Sequence, residues 1–170
     1  VGDVTVGVLH PHPDRPCPAG HRRCGPNDRS VVLRLTYGDV SMLLTGDAEA
    51  TLERDLLARG VPLRADVLKV GHHGSDTSST PLFVDAVAPA VAIASLDRQG
   101  AHPFPRPSVR SRLRAAGAAW FDTDAHGTVQ ISTDGEGLRF RTFRRPRGWS
   151  RWREIPLDSC GPTTGGLPPH

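Results

Sequence analysis

The chain has little of what would place it quickly. Among its 170 residues only three are cysteines, Cys17, Cys24 and Cys160, and an odd, sparse set does not build a disulfide scaffold. Nowhere do eighteen apolar residues run together, so no segment reads as a membrane-spanning helix. The opening, VGDVTVGVLH, has neither a methionine nor the charged-then-apolar order of a signal peptide. A chain that opens in mid-strand reads as a piece of something longer. Acidic residues are missing from one stretch, Arg139 to Arg153, whose RFRTFRRPRGWSRWR holds seven arginines and four aromatics. The formal charge is +3. Without those seven arginines the remainder would carry −4, so the basic character is local.

Glycine and proline are plentiful, 18 and 16 residues, and they demand many loops and turns. The length suits one domain with a buried core. VTVGVL reads as a strand, followed by a loop from His10 to about Asp28. In that loop Cys17, His21 and Cys24 have the residue types for zinc but lack a fourth ligand. A Cys17–Cys24 disulfide in an oxidising compartment is the better reading. SVVLRLTYG and VSMLLTG form a hairpin about Gly38-Asp39. AEATLERDLLARG has leucines at helical spacing and a glycine stop, and ADVLKV is a short buried strand. STPLFVDAVAP places Leu82, Phe83, Ala86 and Val87 on one helical face. AVAIASL is another buried strand, SVRSRLRAAG an amphipathic helix, and AAWFDTD, GTVQISTDG and LRFRTF three further strands. Alternation of strand and helix in the middle predicts a mixed α/β sheet with helices against it. The ordered domain is expected over residues 1–145, with a basic, Pro/Gly-rich tail over 146–170 that becomes disordered towards its end.

The chemistry-bearing residues fall at strand ends. Asp47 closes LLTGD, where it could cap the next helix or serve as a metal-bridging carboxylate. His72 and His73 stand in VGHHGSDTSST, one helix and one strand later. A βαβ unit brings the carboxyl ends of adjacent parallel strands to one edge, where carboxylate and imidazole would converge on a divalent metal. Gly71 and Gly74 permit backbone bends there. Ser75, Thr77 and Ser78, with Ser79 beside them, are candidates for hydrogen bonds to a phosphate or for capping. His102, in GAHPFP after the next strand, belongs to the same edge by the same topology. His126 lies in a turn whose Asp124 and Gly127 look like ordinary turn chemistry. HPHPD, residues 10–14, matches five places of an HxHxDH metal pattern. Its sixth place is Arg15, and no helix follows, so it is read as a decoy.

Several segments together carry a resemblance: NDRSVVLRLTYGDVSMLLTGD, ADVLKVGHHGSDTSS, AVAPAVAIASLDRQGAHPFPRPSVRSRLRAAG and FDTDAHGTVQI. In this order, from about Val4 to Leu138, the chain resembles the second half of the metallo-β-lactamase-like domain at the C-terminus of ComEC-type DNA internalisation proteins. The resemblance implies the C-terminal half of an αββα sandwich. It also implies a bacterial protein, a soluble domain of a larger, polytopic inner-membrane DNA-uptake protein. The activity implied is a metal-dependent nuclease on the non-imported, single-stranded DNA. Two divalent ions, Zn2+ or Mn2+, are the implied cofactors. Asp47 matches the bridging carboxylate and His73 (or His72) the late histidine ligand, leaving its neighbour to meet phosphate. His102 matches the histidine-proline site; Asn27 and Ser30 match positions that look structural.

The chain departs from the pattern in two places. It reads RQGAHPFP where the family has Asn-x-Tyr-Gly-His-Pro, and the half that carries HxHxDH is absent. In the family HPHPD aligns with the plain Leu-x-Pro end of a strand. With half a ligand set, weak metal binding and little nuclease activity are expected of this chain by itself. In the complete domain His72 or His102 could donate to the leaving oxygen or to the phosphate. Arg144, Arg145, Arg147 and Arg151 with Trp149 and Trp152 would suit a nucleic-acid backbone and its bases. A non-catalytic DNA-binding or interaction module remains an alternative, as does another hydrolase of this fold such as a phosphodiesterase or lactonase.

Overall fold

Short strands whose side chains point alternately to two faces set the architecture. The computed structural model describes residues 3–14, 17–18, 24–96 and 104–157. Six strands, β1 (Thr5–His10), β2 (Val32–Tyr37), β3 (Val40–Leu44), β4 (Val67–Lys69), β5 (Val91–Ala94) and β6 (Ala119–Asp122), lie side by side in chain order. The first three are antiparallel; β3 to β6 are parallel. The parallel half needs crossovers, and α1 (Ala50–Ala58), α2 (Pro81–Val87) and α3 (Pro107–Ala115) supply them. A single turn, α4 (Thr123–His126), leads into the second sheet: β7 (Thr128–Thr133), β8 (Leu138–Arg144), β9 (Gly148–Trp149) and β10 (Arg153–Ile155). There β8 is central, pairing antiparallel with β7, β9 and β10.

The period of two along each strand separates two cores. Leu43, Leu68, Ala92 and Trp120 face the helices, where Leu52, Leu56, Phe83, Val84, Val87, Val109 and Leu113 cover them. Val40, Val67, Val91 and Phe121 face the other way, against Leu138, Phe140 and Ile155 of the second sheet. The result is a mixed α/β arrangement in three layers: helices, main sheet, second sheet. Strand pairing runs to Ile155, which is buried in the inter-sheet core, so β9 and β10 lie within the stretch expected as tail. Residues 158–170 lie outside the described residues.

Two local expectations are corrected. In α2 the buried stripe is Phe83, Val84 and Val87, while Leu82 is 71% exposed. Hydrophobic spacing allowed either stripe; the helix start decides between them. The buried Glu53 carboxylate accepts the backbone N–H groups of Ser79 (2.5 Å) and Thr80 (2.8 Å), which pins the first turn and hence the rotation of α2. The turn around His126 is a one-turn helix, with the Asp122 carboxylate accepting the Ala125 N–H at its start. Among the described residues no helix is long and apolar enough to cross a membrane.

Candidate metal centre

The parallel strands deliver three segments to one edge: Thr45-Gly46-Asp47 after β3, the HHGS loop after β4, and Ser95 after β5. Asp47 does not cap α1. The residue at the cap position is Glu49, and its side chain makes no capping bond. The Asp47 N–H instead donates to Ser30 Oγ (3.0 Å), and its carboxylate is left partly exposed. The backbone of the strand end is tied to the next loop, for His72 N donates to Gly46 O (3.1 Å) and Thr45 Oγ1 donates to Lys69 O (2.8 Å).

His72 (φ 44°) and His73 (φ 54°) both adopt left-handed backbone, which costs about 1–2 kcal/mol per residue for side chains with a Cβ. Such strain persists where the surroundings over-determine it. Gly71 and Gly74 bracket the pair; a Cβ on Gly74 would meet Pro105 Cβ at 2.8 Å, and one on Gly71 would meet Ala48 O at 3.0 Å. Ser78 Oγ donates within the loop, near Gly71 O (2.8 Å) and Ser75 O (2.9 Å). Ser75 Oγ and Thr77 Oγ1 lie 2.9 Å apart, and Thr77 Oγ1 donates to Glu49 Oε1 (2.8 Å). Of the hydroxyls expected to meet phosphate, Ser75 and Ser78 are buried within the loop, whereas Thr77 is exposed. They build the platform beneath the histidines.

The two rings point to different partners. His73 Nδ1 sits 2.5 Å from Ser95 O. A carbonyl only accepts, so Nδ1 carries a proton, and a metal would take the lone pair of Nε2. That Nε2 lies 3.6 Å from Asp47 Oδ1. Two donors of one zinc-like ion, each about 2.1 Å from it, stand about 3.4 Å apart in tetrahedral geometry. A carbonyl on the far ring nitrogen is the usual outer support of a ligating histidine. Asp47 and His73 therefore have the chemistry and spacing of a two-ligand corner. Among the described residues no third His, Cys, Asp or Glu joins them; His102 lies outside the described residues.

His72 faces Glu49, with Nδ1 2.9 Å from Oε1, and its ring stands edge-on to Phe104 at 5.6 Å. The same Glu49 oxygen accepts from Thr77 Oγ1 and from Asn27 Nδ2 (3.2 Å). Burial by itself would raise the Glu49 carboxyl, yet the hydrogen bonds from Thr77 and Asn27 and the His72 ring hold it below the usual range. Asn27 and Ser30 thus support the site from outside it. Glu49 and Lys69 were not singled out from the sequence. Glu49 follows Asp47 by two residues at the start of a helical pattern, and Lys69 was hidden inside an apolar run.

Among the described residues neither HPHPD histidine joins Asp47 and His73 in a metal-holding group. His10 is fully buried at the end of β1. Its pKa is lowered, first by burial, against the opposing influence of the Asp28 backbone. His12 lies beside its own neighbour Asp14 (3.9 Å). His126 packs against Phe121 and contacts the Asp122 backbone. Cys17 and Cys24 are joined as a disulfide. On the outer face of the second sheet the Arg141 guanidinium lies over Trp149 (4.3 Å) and Trp152 (4.5 Å), and Arg139 over Trp152 (4.9 Å). Arg144 donates to Ala125 O. Arg145, Arg147 and Arg151 are exposed. Both indoles already carry an arginine, so the aromatic part of this surface is a pre-stacked ladder.

The fold and edge thus define a mixed α/β domain with a carboxylate–imidazole corner at the ends of parallel strands, and known proteins resemble the chain over most of its length. No protein-family model matches the chain. It is 35% identical over 137 residues to the uncharacterized protein YcaI of Escherichia coli, covering 78% of this chain and 18% of that protein. It is 33% identical over 142 residues to competence protein ComA of Neisseria gonorrhoeae, covering 83% and 20%. To recombination protein 2 of Haemophilus influenzae it is 42% identical over 118 residues, covering 69% and 15%. The chain spans about a fifth or less of the length of these relatives. It matches a partial region of ComEC-type proteins.

Proposed function

We propose that this chain is the C-terminal half of a metallo-β-lactamase-like αββα domain and supplies the late corner of a metal-dependent nuclease site in a bacterial DNA-uptake protein. The observation that carries this reading is His73 Nε2 at 3.6 Å from Asp47 Oδ1, with Nδ1 held against Ser95 O. Relatives named for competence and recombination support the DNA-uptake context. Support for the half-fold comes from an uncovered apolar strip. Val4, Val6 and Val8 are exposed (Val8 at 61%) on the face shared with Leu33 and Leu35, beyond the reach of the second sheet. A further layer carrying HxHxDH would cover it.

In this reading Asp47 would bridge two divalent ions, Zn2+ or Mn2+, and His73 would complete the second. When bound, the ions would lower the pKa of a water and neutralise charge on the phosphoryl oxygens. The protein's own part is positional. Ser95 O fixes the tautomer of His73, the Ser75–Thr77–Ser78 platform holds the strained loop, and Glu49 orients His72, which would face the scissile phosphate from beside the ligands. The exposed arginines 144, 145, 147 and 151, with Trp149 and Trp152, would guide single-stranded DNA by charge and stacking. The domain would work as part of a polytopic inner-membrane protein.

The test is cleavage of single-stranded DNA by a longer protein that contains this region, with Mn2+ or Zn2+. Asp47→Ala and His73→Ala should each lower the rate at least 100-fold while circular dichroism stays unchanged. Cleavage at the unmutated rate in both variants would overturn the reading.

A further inference from the structure

The lysine in ADVLKV is the least expected side chain in the main sheet. Lys69 ends the central strand β4 and pairs in register with Leu44 of β3 and Ile93 of β5, which pairs in turn with Phe121 of β6. All four stand in one row on the face that the second sheet covers. A leucine or isoleucine would fill that row at no electrostatic cost, whereas a partly buried ammonium loses hydration. A lysine that merely lies along the sheet would carry its head to water. Lys69 Nζ donates instead to the carbonyl of its neighbour Val70 (3.2 Å), at the edge where the HHGS loop begins. Among the described residues no carboxylate lies within ion-pairing distance of it. Burial pushes its ammonium below the ordinary lysine range, and the charge of Asp47 opposes this. An ammonium has three donors, and one carbonyl leaves two of them for an anion.

We propose that Lys69 is the anion-binding residue of this edge, its ammonium taking a non-bridging oxygen of a phosphodiester placed beside Asp47 and His73. The proposal rests on the phosphodiester reading above and names the residue that holds the substrate's charge. A fixed cation beside Asp47 opposes a metal ion and favours an anion, so removing it moves the two affinities in opposite directions. General damage to the fold would weaken both.

The experiment titrates this chain with the dinucleotide TpT, which has one phosphodiester and is too short to span the arginine-rich face. Chemical shifts are followed by NMR in metal-free buffer, and Mn2+ binding is measured separately. Lys69→Met and Lys69→Gln should each bind TpT at least tenfold more weakly, Lys69→Arg within about threefold of the original, and Mn2+ should bind the Met variant no more weakly. TpT binding by both neutral variants at the original affinity, or no TpT binding by the unmutated chain, would overturn the proposal. TpT binding that depends on Lys69 in a chain that takes up no Mn2+ would leave the anion site standing and remove the metal-dependent reading instead.

Discussion

Consecutive left-handed histidines are a residue-scale decision with consequences for the whole edge. Residue types and order made the pair conspicuous in the sequence, but which ring faces Asp47 was not legible there. That choice depends on backbone angles that send His73 towards Ser95 and His72 towards Glu49, two contacts 22 and 23 residues away. The burial of Ser75 and Ser78 was not legible for a related reason: a run of Ser and Thr after a histidine pair has the same composition whether it lines a site or supports one. His10 gives a prediction at this scale. Its folded-state pKa is lowered, so the folded state resists protonation while the unfolded chain accepts a proton near 6.5. Stability from this residue is complete above pH 6.5 and is lost as the pH falls through the lower folded value. Glu53, raised by burial, acts in the opposite sense, so a comparison of variants isolates His10. Thermal melts of His10→Phe should lose less stability between pH 7.5 and pH 5 than the unmutated chain; parallel losses would contradict this.

At the scale of elements, the order of strands and helices was readable because apolar runs of four to seven residues alternate with helical spacing and are punctuated by glycine. The Gly38-Asp39 hairpin is present between β2 and β3. What could not be read was the rotation of the short α2, since a seven-residue helix carries too few apolar positions to select one stripe, and a contact from α1 sets it. The strands β9 and β10 were concealed in an arginine-rich stretch because their outward faces are cationic and only Ile155 is buried. The carboxylate of Glu53 satisfies two buried N–H groups at the start of α2. Glu53→Ala leaves both unpaired, and about 2–4 kcal/mol of stability should be lost in urea unfolding, at about 1–3 kcal/mol for each unsatisfied group with partial relaxation. A loss under about 0.5 kcal/mol would show that this carboxylate does not hold the helix.

For the whole molecule, charge and apolar surface are segregated on different faces. The second sheet turns its arginine–tryptophan ladder outwards, while the exposed valines of β1 extend the inter-sheet face beyond its cover. The charge asymmetry was plain in the sequence. The uncovered valines were not, because alternation in VTVGVL says which residues share a face and not whether anything lies on it. If the exposed arginines bind single-stranded DNA through its backbone, Arg145→Ala with Arg147→Ala should flatten the salt dependence of binding by about 0.7 per arginine in the log–log slope. An unchanged slope would place DNA elsewhere.

The most direct measurement of the central claim is Mn2+ titration of this chain, followed by paramagnetic broadening of its NMR signals. The expected result is weak binding that broadens Asp47 and His73 first, and that is abolished in Asp47→Ala. Broadening elsewhere, or broadening of His73 that persists without the Asp47 carboxylate, would contradict it.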